Sequence, residues 1–89
     1  MATRLHDSEF DTEDRRLLGE VLYQRTYIAG PGATIAGLGL SQGTALPDVA
    51  TAEITGAWLS RANIADPRTG KKVWINVARV VARELVAGA

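Results

Sequence analysis

Eighty-nine residues carry ten Lys and Arg against ten Asp and Glu, 46% hydrophobic residues, one histidine and no cysteine. A chain this short makes one domain and buries only about 60–65% of its unfolded surface. Without cysteine there is no disulfide framework, no thiol nucleophile and no thiolate metal site.

The charge is uneven. Residues 1–20 hold three arginines and six carboxylates, and residues 51–89 hold six cations and three carboxylates. An acidic head and a basic tail fit either a C-terminal half facing a polyanion or ends that attract each other between subunits. Much of the apolar content is Ala and Val. A core of small side chains points to a partner or a homo-oligomer that completes it.

Residues 1–10 read as an N-terminal arm, without the apolar stretch of a secretory signal. The remainder, 11–89, reads as a single domain. Asp11 or Thr12 can cap a helix, with Glu13 and Asp14 in the first turn. Leu17, Leu18, Val21 and Leu22 then form an apolar stripe, which predicts a helix over about 12–27. Tyr23, Thr26, Tyr27 and Ile28 also suit a strand.

Gly30-Pro31-Gly32 ends that element. Five of the nine glycines lie between 30 and 43, so the loop 29–46 is expected to form a short turn or an extended arm. Pro47 suits the first turn of a second helix, 47–62, with Ala50, Ile54, Ala57, Trp58 and Arg61 on one face. A strand over 52–64 is the competing reading. Asp66-Pro67-Arg68-Thr69 matches a type I turn, followed by Gly70. Val73-Trp74-Ile75 is a short strand, and 76–87 a closing helix. The fold class expected is α+β, three to four helices with one β-hairpin.

Candidate chemistry is sparse. Residues 30–43 contain no lysine, and Ile35 stands where a dinucleotide fingerprint needs glycine. His6 is too isolated to be a general base or a zinc ligand. Ser8, Ser41 and Ser60 lack a partnering base. The expectation is a protein without catalytic, metal or cofactor residues, hence no enzyme. Trp58 and Trp74 are either core residues or exposed anchors for a partner protein. Arg61, Arg68, Lys71 and Lys72 gather around the turn, either as phosphate contacts or as a solvated hairpin tip.

From about Glu53 to Leu85 the order resembles the small winged-helix domain of phage excisionases and related MerR-like DNA binders. Ile54-Thr55-Gly56-Ala57-Trp58-Leu59-Ser60-Arg61 would match the recognition helix, Pro67 to Lys72 the wing, and Trp74-Ile75 the returning strand. The resemblance implies a winged helix that binds duplex DNA. Thr51, Thr55 and Arg61 would face the groove, and Arg68, Lys71 and Lys72 would hold phosphates. It departs from that pattern in its acidic helix face and its neutral charge.

The function expected first is therefore a DNA-binding accessory protein of the excisionase or repressor type. The alternative is an assembly subunit of a phage or other particle, packing through the Gly-rich arm and complementary charged ends. A third reading is a small protein-binding inhibitor or adaptor. No apolar run is long enough to span a membrane. The compartment expected is the cytoplasm, or the virion if the assembly reading holds.

Overall fold

A computed structural model describes residues 3–7, 9–16 and 19–86. Sixty per cent of them are in strands and none is in a helix. The strands are β1 (Thr3–Leu5), β2 (Thr12–Arg15), β3 (Glu20–Ile28), β4 (Ala45–Leu46), β5 (Val49–Ala65) and β6 (Lys72–Leu85). They form one curled antiparallel sheet in the order β1-β3-β6-β5-β4, with β2 also on β3. The expected α+β class, its helices and the winged-helix resemblance are thereby overturned.

β3 alternates along its length. Val21, Tyr23, Arg25 and Tyr27 share one face, and all are buried. That is the period of a half-buried strand rich in β-favouring residues. Just before β3, Gly19 takes φ 76°, and the Arg16 N–H donates to the Glu20 carbonyl. A residue held there ends any helix running through 12–27. Leu17 and Leu18, which carried part of the predicted stripe, lie outside the described residues.

β1 and β2 lie end to end along the same edge of β3. Leu5 pairs with Thr26 and Thr12 with Gln24, so Arg25 faces the break between them. Its guanidinium fills the gap, donating to the carbonyls of Thr12 (2.7 Å) and Gln24 (2.9 Å).

The core face of the sheet gathers Val21, Tyr23 and Tyr27 from β3, Ile54 from β5, and Ala78, Val80 and Ala82 from β6. The glycine-rich segment folds over this face as a series of turns. It inserts Leu40 and Leu46, both almost fully buried, and packs Ile35 and Leu38 alongside. Pro47 and Asp48 form the reversal between β4 and β5. Asp48 accepts from the Tyr27 hydroxyl and pairs with Arg4.

β5 contains a bulge between Ile54 and Gly56. One extra residue shifts the side-chain phase, so Ile54 and Ala57 reach the same face although three apart. That spacing imitates a helix and explains the overturned helix at 47–62. The strand alternative over 52–64 describes the segment that forms. In β6 both faces are buried around Val77 and Ala78, so apolar residues run together rather than alternate. Arg79 and Arg83, four apart, share a face in a strand as they would in a helix. The predicted helix 76–87 is thus the second half of one long strand.

Candidate interaction ribbon

β6 meets β3 only from Val77 to Leu85, and β4 meets β5 only near its start. The five pairs from Arg61↔Asn76 to Ala65↔Lys72 therefore have no third strand beside them among the described residues. They form a two-stranded ribbon, residues 61–76. At its root the Ala29 N–H donates to the Asn76 carbonyl at 3.0 Å; the four pairs beyond, from Ala62↔Ile75 to Ala65↔Lys72, extend about 14 Å before the turn at ~3.4 Å per residue. The molecule measures 47 × 26 × 16 Å with a radius of gyration of 14.0 Å. A compact chain of this length would have a radius near ~12 Å.

The turn lies at residues 66–70, where the sequence placed it. The Gly70 N–H donates to the Asp66 carbonyl at 2.7 Å, and the Arg68 N–H to the Asp66 carboxylate at 2.9 Å. Gly70 takes φ 73°. Strands, and not a helix and a strand, flank this turn.

The ribbon carries four predicted site residues: Arg68, Lys71 and Lys72 gather at its tip, and Arg61 stands four pairs away at its root. Arg68 has an exposed side chain 3.9 Å from Asp66, and Lys71 and Lys72 have no ion-pair partner among the described residues. Thr51 and Thr55 lie elsewhere. The Thr51 hydroxyl donates to the Glu84 carboxylate, and the Thr55 hydroxyl donates to the Val81 carbonyl at 3.2 Å across the bulge. Both are on a strand of the body, so the groove-facing helix expected to carry Thr51, Thr55 and Arg61 does not exist.

Neither tryptophan is in the core. Trp74 stands on the ribbon, 61% exposed, with the Arg61 guanidinium 5.8 Å from its ring centroid. Leu59, at the root of the ribbon on the same face, is 50% exposed. Beside it opens a cleft of about 260 Å³ lined by Gly30, Ala33, Leu59 and Asn76, among others.

Trp58 lies on the back of the sheet and packs edge-on against Phe10, ring centroids 5.9 Å apart. That contact belongs to a polar cluster which the sequence did not reveal. Residues 7 and 9–11 fold back over Arg79, which donates to Asp7 at 2.8 Å and to the Thr26 hydroxyl at 3.1 Å. Thr26 donates to Asp11, and Phe10 covers the Arg79 guanidinium at 4.5 Å. Burial opposes the charge on Asp7. The hydrogen bond and charge of Arg79, with the Glu9 and Phe10 N–H groups, outweigh it and hold the carboxyl below its ordinary value. Each polar group in the cluster has a partner within the chain. It fastens residues 7 and 9–11 to the sheet.

At the end of the hairpin opposite the ribbon, the Tyr23 hydroxyl donates to Glu84 at 2.8 Å. Hydrogen bonds from Thr51 and Tyr23 hold Glu84 below the usual carboxylate value. The bond to Glu84, then burial, raises Tyr23; burial, then the Asp48 charge, raises Tyr27 well above its ordinary value.

Among the described residues no group of three or more His, Cys, Asp or Glu could hold a metal. No helix among them is long and apolar enough to cross a membrane. No protein-family model, curated protein or solved structure matches the chain. The excisionase-like and phage assignments therefore have no family support beside the fold that contradicts the winged helix.

Proposed function

We propose that this protein is a structural assembly subunit whose docking element is the projecting β5–β6 ribbon. One observation carries the reading: from Ala62↔Ile75 to the turn the ribbon is, among the described residues, paired only with itself, and it presents Trp74 and a basic tip beyond the body, with exposed Leu59 at its root. An isolated two-stranded hairpin is marginally stable in water. A second protein surface supplies what a third strand would, either by pairing with a free edge or by burying the exposed tryptophan. Aromatic side chains with an adjacent arginine are the residue types that dominate such contacts. The cleft at the ribbon root has room for an apolar side chain of the partner. The cytoplasm is the compartment proposed, on the sequence grounds given above.

A photo-crosslinking amino acid at position 74, introduced in the cells that make the protein, tests the reading. A discrete protein adduct is expected at 74 and not at exposed Gln42 on the glycine-rich segment. Adducts of equal yield and pattern at both positions, or adducts to nucleic acid alone, would contradict it.

A further inference from the structure

Charge divides between ribbon and body. Residues 61–76 hold four cations and one carboxylate, net +3, which leaves nine carboxylates against six arginines on the rest, net −3. The two are arranged lengthwise. The turn that carries Arg68 and Lys71 is at one end of the β5–β6 hairpin. Glu53, paired across the sheet with Arg83, and Glu84, paired with Val21, are at the other. Six other body carboxylates have an arginine within ion-pair distance: Asp7, Asp11, Glu13, Asp14, Glu20 and Asp48. Glu53 and Glu84 have none among the described residues, and neither has Glu9, which stands beside Asp7.

On the ribbon reading just proposed, we infer that the partner is a second copy of this chain, bound head to tail. The basic ribbon of one copy lies against the acidic far end of the next. A symmetric pairing of ribbon with ribbon would bring two +3 surfaces together, and like charges facing each other oppose association. A head-to-tail contact joins the +3 ribbon to the far end, where Asp14, Glu20, Glu53 and Glu84 outnumber Arg15, Arg16 and Arg83, and leaves a free ribbon and a free acidic end on every growing unit. Such heterologous contacts close into rings or continue as filaments. The free outer edge of β1 and β2 and the free edges of the ribbon let strand pairing add to the charge attraction.

Charge reversal separates this arrangement from others. Sedimentation velocity would compare the purified full chain with Lys71→Glu/Lys72→Glu, with Asp14→Lys/Glu53→Lys, and with an equimolar mixture of the two. The natural chain is expected to associate at about 0.1 M salt and to do so at least about tenfold more weakly near 1 M, where the screening length falls from about 10 Å to about 3 Å. Each variant alone should stay monomeric. The mixture should associate, because each ribbon again meets an end of opposite charge. Circular dichroism and thermal melting would establish that both variants fold.

A natural chain that remains monomeric at high concentration and low salt would overturn the inference. So would a mixture of folded variants that fails to associate. A monomeric chain that still gives a discrete adduct from position 74 to a different protein would overturn self-recognition and leave the ribbon reading intact. Loss of that adduct as well would remove both.

Discussion

Arg79 shows how one side chain can hold a segment without secondary structure. Its guanidinium reaches Asp7 and Thr26 and lies beneath Phe10, and both charged side chains are largely buried. Removing one partner of such a pair leaves the other charge desolvated, so Asp7→Asn should lower stability by about 3 kcal/mol. Urea denaturation would measure this, and a loss below about 1 kcal/mol would show that the pair is effectively solvated. The same residue shapes the acid limb of stability. The Asp7 carboxyl titrates below its ordinary value in the fold, so its contribution is complete above about pH 4 and is lost as pH falls further. Glu84 acts in the same direction. Tyr23 and Tyr27 titrate above their ordinary values, so their contributions are complete below about pH 10 and are lost as pH rises beyond it. Asp7→Asn should therefore flatten the acid limb and Tyr27→Phe the alkaline one. Limbs of unchanged slope in urea midpoints measured against pH would contradict these assignments.

At the scale of elements, the bulge in β5 determines which residues of the ribbon face which way. Deleting Thr55 removes the extra residue and keeps Ile54 and Ala57 on their present face. Deleting Leu59 instead transfers residues 60–65 to the opposite face, because the side-chain period of a strand is two. The Thr55 deletion should accordingly melt higher than the Leu59 deletion by several degrees or more, and the reverse order would show that the bulge itself is needed for stability. The bulge also explains what the sequence did and did not convey. The turn at residues 66–70 was legible, because Asp, Pro and Gly act through local backbone geometry. The cationic group was legible because its members are close in sequence. The strand at Val73-Trp74-Ile75 was legible, and 52–64 was legible as the competing reading; the full length of β5 and β6 was not, because the bulge gave 54 and 57 a helical spacing, and burial on both faces removed alternation around Val77 and Ala78. Gly19 was the available signal against the first helix. The Asp7–Arg79 pair joins residues 72 apart, and nothing local announces it.

At the scale of the molecule, the ribbon should be the least stable part of the sheet until something covers it. Its amides are held by one neighbouring strand, whereas Ala78, Val80 and Ala82 lie between β3 and β5 over the core. Local opening costs least where backbone hydrogen bonds are exposed and few apolar contacts close over them. Trp74→Ala should accordingly change the melting temperature of the dilute chain by only about a degree or two, since the side chain is mostly exposed, yet weaken assembly. A melting temperature many degrees lower would mean that the indole packs within the chain. Amide hydrogen exchange resolved by residue reads the docking role of the ribbon. In dilute chain at high salt, the ribbon amides of residues 62–65 and 72–75 should exchange far faster than those of 78–82, and should gain protection when concentration rises at low salt. Ribbon amides as protected as the core in the dilute chain, or unchanged on concentration, would contradict the claim that this ribbon is a docking element.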